Sequence, residues 1–161
     1  GPAEAPGHDV TLAEGDELRL GRHVGRAIAI PGHTLGHLAL LFEEQRAAFV
    51  GDTLFAMGCG RLFEGTAEQM HDSLQRLAAL PDDMRLYCGH EYTLANARFA
   101  AFAEPGNAAI AERLERVQAM RGRGEITLPT TVAEERSTSP FLRAPDACEF
   151  ARLRAAKDSF R

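Results

Sequence analysis

The sequence predicts a mixed α/β (α+β) domain followed by an all-α region. Short apolar and β-rich runs alternate with turn signals up to residue 50, a capped amphipathic helix follows, and no strand pattern recurs after residue 92. The predicted strands are Glu17–Leu20, Val24–Ile30, His37–Phe42 and Ala47–Val50. The turn signal at residues 43–46 joins the last two, so we expect an antiparallel meander.

Helix signals begin after the meander. Thr66 and Gln69 have the spacing of a capping box, and apolar residues follow at helical intervals until Pro81 ends the run. A further short strand is predicted over 84–88. This order of elements places one helix between the meander and the last predicted strand.

The remaining chain is predicted to be helical. We expect helices over 92–103, from an Asn107 cap to Gly122 and Gly124, and over 145–160, with a linker-like stretch at 127–140. The predicted domains are therefore residues 1–92 and residues 93–161.

Composition narrows the class of protein. The 161 residues include 18 basic and 23 acidic side chains, and the net charge of −5 argues against a general nucleic-acid binder. No apolar run approaches the roughly 18 residues of a spanning helix, so no membrane partner is expected. Three cysteines in a chain of this length are expected to stay reduced. A soluble, cytoplasmic protein is the resulting prediction.

Three metal-capable side chains each follow a predicted strand and lie beside glycine. They are His33, Asp52 and His90. Strand ends hold side chains in fixed positions, and two imidazoles with a carboxylate suit zinc, iron or manganese. Each residue taken singly has a more ordinary interpretation as a hydrogen-bonded histidine or a turn aspartate.

Four segments together, residues 31–37, 51–55, 58–66 and 87–96, resemble glyoxalase II in order and spacing. This family of hydroxyacylglutathione hydrolases belongs to the metallo-β-lactamase-fold superfamily. The resemblance implies a partial αββα sandwich, its second half, over residues 1–92, and a helical glutathione-binding domain over 93–161. It also implies hydrolysis of S-D-lactoylglutathione to D-lactate and glutathione.

The resemblance also implies a site with two divalent metal ions, zinc in the first instance, with iron or manganese as alternatives. His33 resembles a terminal ligand of one ion and His90 a terminal ligand of the other. Asp52 resembles the carboxylate that bridges them and is the predicted catalytic residue. His37 is expected to fix its loop by hydrogen bonding and not to bind metal.

The glutathione thioester is the implied small-molecule partner. Arg61, Tyr92, Arg154 and Lys157 resemble the family's contacts to the tripeptide. Phe63 stands where many members have tyrosine, so a hydroxyl is absent there. The alternative for Arg154 and Lys157 is a solvated helix face, although Lys157 is the only lysine in the sequence.

The family's His-x-His-x-Asp-His signature, which supplies four further ligands, does not occur in this sequence. We therefore interpret the chain as a C-terminal portion of such an enzyme, with Gly1-Pro2 as interior sequence. Half a sandwich would expose an apolar face and strand edges. The expected protein partner is the missing half or a second copy.

Two alternatives to thioester hydrolysis remain open. One is a neighbouring superfamily member such as a persulfide dioxygenase with one iron. The helical tail with Arg154 and Lys157 favours glyoxalase II over a persulfide dioxygenase. The other is a non-catalytic relic that binds a partner or a glutathione conjugate, for which the missing ligands are the support.

Overall fold

The computed structural model describes residues 9–160, and the interpretation of Gly1-Pro2 lies outside them. A six-stranded sheet has the order β1-β2-β3-β4-β7-β8, and β5 and β6 form a separate hairpin. The strands are β1 Glu17–Leu20, β2 His23–Ala29, β3 Leu38–Phe42, β4 Ala47–Gly51, β5 Leu54–Phe55, β6 Gly58–Cys59, β7 Arg85–Cys88 and β8 Thr130–Thr131. The helices are α1 Ala67–Ala78, α2 Thr93–Ala103, α3 Ala108–Gly122, α4 Val132–Thr138, α5 Pro140–Arg143 and α6 Ala147–Ser159.

The antiparallel meander is confirmed, because β1 to β4 pair successively in antiparallel register. β7 joins the sheet parallel to β4, after the crossover through α1. β2, β4 and β7 consequently run in the same direction and end at one edge of the sheet. That edge is where the three metal-capable residues follow.

One face of the sheet packs on α1. The capping box is confirmed: Gln69 N–H donates to Thr66 Oγ1 and Thr66 N–H donates to Gln69 Oε1. The buried α1 side chains pack against alternate residues of the central strands, and the largest core cluster includes Ile28, Leu41, Ala48, Val50, Met70, Leu74, Leu77 and Leu86. Period-two alternation in the strands and 3.6-residue spacing in the helix therefore meet in one core.

The opposite face of the sheet is apolar and partly exposed. A cross-strand row on this face consists of Ala27, Leu40, Phe49 and Tyr87. The Phe49 ring stacks on Tyr87 at 5.1 Å and remains 46% exposed. The expected exposed apolar face is therefore present, and we call it the open sheet face; that it belongs to half of a sandwich stays a prediction.

The prediction of a linker over 127–140 is wrong. Thr131 caps α4 by accepting from Glu134 N–H, and Thr130 lies in β8, which pairs with β7. The expectation that no strand recurs after residue 92 is wrong for the same reason. The two-residue β8 extends the sheet, so the region after residue 92 contributes to it.

The other helices follow their sequence signals closely. Asn107 caps α3 as predicted, and Asp146 caps α6, which begins at Ala147 and not at 145. The hairpin of β5 and β6 was not predicted. Among the described residues, no helix has both the length and the apolar character needed to cross a membrane.

Candidate active site

His33, Asp52 and His90 converge at the edge where β2, β4 and β7 end. His33 Nε2 lies 3.7 Å from Asp52 Oδ2, and His90 Nε2 lies 3.4 Å from the same oxygen. The Asp52 side chain is 27% exposed, so the carboxylate remains open to solvent. The structure therefore brings the three side chains together at one carboxylate oxygen, and their role as metal ligands stays a prediction.

Two glycines allow this close approach. A Cβ on Gly60 would lie 2.1 Å from the Asp52 carbonyl oxygen and 2.9 Å from His33 Nδ1. A Cβ on Gly89 would lie 2.5 Å from Asp52 Oδ1. These distances are shorter than van der Waals contact. A larger residue at position 60 would therefore displace the Asp52 main-chain carbonyl or the His33 ring, and one at position 89 would displace the Asp52 carboxylate.

The hydrogen bonds of His33 fix its tautomer. Nδ1 lies 2.8 Å from the carbonyl oxygen of Arg61, which can only accept, so Nδ1 carries the hydrogen. In the neutral ring with this tautomer Nε2 carries no hydrogen, and it lies 3.7 Å from Asp52 Oδ2. An imidazole held in this way by a backbone carbonyl is suited to bind a metal through its other nitrogen.

His37 has a different role. Its Nε2 accepts a hydrogen bond from the Asp52 N–H at 3.1 Å. Burial, followed by the neighbouring His33, lowers the pKa of His37 and favours the neutral ring that this bond requires. The expectation that His37 fixes the loop by hydrogen bonding is confirmed.

The donor set fits part of a metal centre. Two ligands that bind one tetrahedral ion at roughly 2.0–2.1 Å lie roughly 3.4 Å apart, close to both imidazole–carboxylate distances. Within residues 9–160, however, no group of three or more His, Cys, Asp or Glu side chains is arranged to hold an ion by itself. A shared Asp52 with one imidazole per ion leaves fewer protein ligands than a zinc centre uses.

Two aromatic rings flank the histidines. Tyr92 stacks on His90 with ring centroids 4.9 Å apart, and Phe63 packs on His33 at 4.8 Å. Phe63 is 70% exposed and Tyr92 49% exposed. The rings connect the Asp52 site to the surface where the predicted substrate residues lie.

Four of the five predicted substrate-binding residues line one cavity of about 230 Å³. The described residues around it are Phe55, Cys59, Arg61, Tyr92, Ala95, Asn96, Arg154, Lys157, Asp158 and Phe160. Phe63 lies apart from them in an adjoining groove of about 460 Å³, which it shares with Arg61, Arg154 and Asp158. The predicted residues therefore meet at two connected depressions.

Arg154 does not lie on a solvated helix face. The residue is 7% exposed, Nη1 donates to the Cys59 carbonyl oxygen at 2.8 Å, and Nη2 donates to Asp158 Oδ1 at 2.9 Å. Its guanidinium also lies over the Phe141 ring. Its buried Nε has no hydrogen-bond partner in the described structure.

Lys157 is half-buried beside Arg154. Its Nζ donates to the Ala95 carbonyl oxygen at 3.2 Å and lies 5.5 Å from the Phe99 ring centroid. Burial, followed by the charge of Arg154, lowers the pKa of Lys157. The Lys157 ammonium therefore lies at the cavity wall beside a second cation, Arg154.

Sequence reasoning missed Asp158. Its Oδ1 accepts from Arg154 and lies 3.4 Å from Arg61 Nε, so it joins two cations of the cavity. The signal was available in the sequence, because residues 154 and 158 are four apart on one helix and face each other. Asp158 therefore holds Arg154 by a hydrogen bond and lies within ion-pair distance of Arg61.

The cysteines near the site are free thiols. Burial raises the pKa of Cys59 to about 11 and also raises the pKa of Cys88. Neither environment favours a nucleophilic thiolate at neutral pH. The expectation that the cysteines stay reduced agrees with these free thiols, and we interpret Cys59 and Cys88 as structural.

Comparisons with known proteins divide the chain at residue 90. Residues 1–90 match the family model of the metallo-beta-lactamase superfamily, and residues 91–160 match that of the hydroxyacylglutathione hydrolase C-terminus. The chain is similar to solved structures of ETHE1 from Myxococcus xanthus, with 28% identity and a TM-score of 0.68, and of a metallo-beta-lactamase from Staphylococcus aureus, with 19% identity and a TM-score of 0.62. The alignments cover 96% and 98% of this chain and 56% and 46% of those chains, and the second likeness concerns the fold alone.

Curated relatives have higher identity. Hydroxyacylglutathione hydrolases from Methylococcus capsulatus and Acidiphilium cryptum are 52% and 54% identical over 97% and 98% of this chain, and over 66% and 65% of their own lengths. That from Mesorhizobium japonicum is 49% identical over 98% of this chain and 68% of its own length. The chain thus spans about two thirds of the length of these relatives.

Proposed function

Because this chain belongs to the hydroxyacylglutathione hydrolase family of the metallo-beta-lactamase superfamily, we propose that it carries part of the active site of a thioester hydrolase. The substrate is S-D-lactoylglutathione, and water cleaves its thioester to give D-lactate and glutathione, a step of methylglyoxal detoxification. The single observation that carries the proposal is the meeting of His33 and His90 at Asp52. The cationic cavity next to this meeting point supports it.

His33, Asp52 and His90 would hold two divalent ions, zinc in the first instance and iron or manganese as alternatives. The ions would supply a hydroxide nucleophile near neutral pH and polarise the thioester carbonyl. Asp52 contributes the negative charge that offsets repulsion between two nearby cations. The Arg61 carbonyl keeps His33 Nε2 free of hydrogen, and His37 keeps the Asp52 backbone in place.

The cavity residues would bind the glutathione part of the substrate. Arg61 and Lys157 present cationic groups to carboxylates, and Arg154 stabilises the cavity wall while its Nε faces no partner. Tyr92 lines this cavity and stacks on His90, and Phe63 lines the adjoining groove and packs on His33. A glutathione thioester bound there would place its carboxylates in the cavity and its thioester towards Asp52.

The open sheet face would pack against a further polypeptide segment or a second copy. A cavity of about 200 Å³ on this face is lined by Leu20, His23, Phe42, Gln45, Ala47 and Phe49. His23 Nδ1 and Gln45 Oε1 are buried there without hydrogen-bond partners in the described structure. We propose that a segment equivalent to the part of the Methylococcus capsulatus relative that this chain does not span occupies this face, with a second copy as the alternative. We also propose a cytoplasmic location.

The test uses a joined protein, in which this chain is connected to the part of the Methylococcus capsulatus relative that it does not span. The joined protein is expected to release one thiol for each S-D-lactoylglutathione consumed, without oxygen uptake. Oxygen uptake with a glutathione persulfide would favour the dioxygenase alternative. Binding of substrate without either reaction would favour the non-catalytic alternative.

A further inference from the structure

The turn of the hairpin formed by β5 and β6 has an unusual backbone. Met57 has φ +58° and is fully buried. A residue with a Cβ rarely adopts this left-handed conformation, and it persists only where the surroundings hold it. Such positions are concentrated at functional sites, so the contacts that hold this turn are informative.

Three helices hold the backbone of the hairpin through side chains. Asn96 Nδ2 donates to the Ala56 carbonyl oxygen at 3.1 Å, and Glu135 Oε2 accepts from the Met57 N–H at 2.8 Å. Arg154 Nη1 donates to the Cys59 carbonyl oxygen at 2.8 Å. These residues belong to α2, α4 and α6. The region after residue 92 therefore holds a hairpin whose bonded residues precede it by 40 to 95 positions in sequence.

Glu135 is itself rigidly placed. Its side chain is fully buried, and Oε1 lies 2.7 Å from Arg113 Nη2 and 2.7 Å from Thr130 Oγ1. Arg113 is also buried. A buried carboxylate with these partners cannot rotate away without leaving a charge unpaired, so its second oxygen is fixed on the Met57 amide.

The chain that leaves the hairpin runs directly to the candidate metal site. Gly60 N–H donates to the Thr53 carbonyl oxygen, and Gly60 packs against the Asp52 carbonyl and the His33 ring. The next residue, Arg61, provides the carbonyl that accepts from His33 Nδ1. The placement of the hairpin therefore determines where the acceptor of the His33 ring lies.

We propose that Glu135 and Asn96 are positioning residues, which hold the hairpin so that the Arg61 carbonyl keeps His33 in the Nδ1–H form with Nε2 towards Asp52. The helical region would then set the geometry of the metal site in addition to lining the substrate cavity. The catalytic importance of this coupling between the helices and His33 rests on the proposed role of His33 as a ligand. The coupling is a property of this chain and can be measured without metal or substrate.

The experiment measures the tautomer of His33 in the ¹⁵N-histidine-labelled chain by long-range NMR correlations. Asn96→Ala removes one neutral donor, and Glu135→Gln keeps the side-chain size while removing the charge opposite Arg113. Val117→Ala is the matched control, because it removes buried atoms from α3 but no hydrogen bond to the hairpin. Circular dichroism establishes that each variant is folded.

We call Asn96→Ala and Glu135→Gln the hairpin variants, because each alters a hydrogen bond to the hairpin. In both we expect the ratio of the Nε2–H to the Nδ1–H form of His33 to rise about threefold to tenfold, the range produced by loss of one ordinary hydrogen bond. The ratio should not change in Val117→Ala. If Glu135→Gln does not fold, Asn96→Ala decides the question alone. A folded hairpin variant with the wild-type ratio, or an equal rise in Val117→Ala, would overturn the proposal and leave the thioester assay of the joined protein unaffected.

Discussion

His90 Nε2 lies 3.4 Å from Asp52 Oδ2, at the point where the parallel strands β4 and β7 end side by side. This distance is longer than the roughly 2.7–3.2 Å of a normal hydrogen bond and matches the spacing of two ligands around one ion. The relationship follows from the fold, because parallel neighbours end at the same edge of a sheet. It leads directly to a prediction about metal binding.

Asp52→Asn should weaken zinc binding by the chain at least about tenfold, since even outer-shell changes at metal sites have effects of that size. The chain itself should bind zinc weakly and with less than two ions per molecule, because three donors are too few for two ions. Competition with a chelating dye measures both quantities. The control is Asp72→Asn, which removes an exposed carboxylate beside His71. Equal affinity in wild type and Asp52→Asn would refute the bridging role.

Lys157→Ala in the joined protein should raise KM for S-D-lactoylglutathione several-fold to tens-fold, about 1 to 2 kcal/mol, with kcat nearly unchanged. A cation remote from the thioester stabilises the bound substrate and the transition state about equally. Arg152→Ala on the same helix is the matched control, because Arg152 pairs with Glu149 and does not line the cavity. An unchanged KM in Lys157→Ala would mean that the cavity does not bind glutathione.

The buried Cys59 predicts a pH dependence of stability. Burial raises the pKa of its thiol from 9.0 to about 11, so between these values the folded chain keeps a proton that the unfolded chain releases. Rising pH therefore favours unfolding in this window. The difference in unfolding free energy between wild type and Cys59→Ala should be constant below pH 9 and fall by up to about 1.4 kcal/mol per pH unit above it.

Urea unfolding at several pH values measures this difference, and Cys148→Ala controls for removal of a thiol elsewhere. A difference that stays constant from pH 8 to about 10.5 would contradict the assignment.

Cys59→Ser and Cys88→Ser in the joined protein should leave turnover within a few-fold. A loss of about a thousandfold would instead indicate thiol catalysis.

Phe49→Glu should decrease self-association of the isolated chain. Phe49 lies in the apolar row of the open sheet face and is 46% exposed, so a carboxylate there opposes the burial of that face. Sedimentation over a range of concentrations measures the effect, with Ile126→Glu as the control for a charge at another exposed apolar residue. Identical sedimentation of Phe49→Glu and wild type would exclude the face as the contact.

Elements specified by contiguous residues could be predicted from the sequence. The capping box of Thr66 and Gln69 and the Asn107 cap act within one helical turn, and both were located correctly. The strand β8 was missed, because its order depends on distant partners such as the Thr130 contact with Arg113. The helix α4 was also missed, although its cap, in which Thr131 accepts from Glu134 N–H, is a local signal. The local sequence around 127–140 contains no periodic pattern that would indicate them.

The candidate active site shows the same difference between local signals and contacts with distant residues. His33, Asp52 and His90 were found because each follows a strand beside glycine, which is a local signal. The burial of Arg154 could not be predicted, because it depends on the Cys59 carbonyl, 95 positions away, and on the Phe141 ring. The left-handed Met57 gave no signal either, since the side chains bonded to its turn, Glu135 and Asn96, are distant in sequence.

Anomalous diffraction at the zinc edge, from crystals of the joined protein grown with zinc, tests the metal-binding role of His33, Asp52 and His90 most directly. We predict two peaks next to Asp52, one within bonding distance of His33 Nε2 and the other within bonding distance of His90 Nε2, with Asp52 contacting both. Zinc bound away from Asp52, or bound without either histidine, would contradict the proposed metal site.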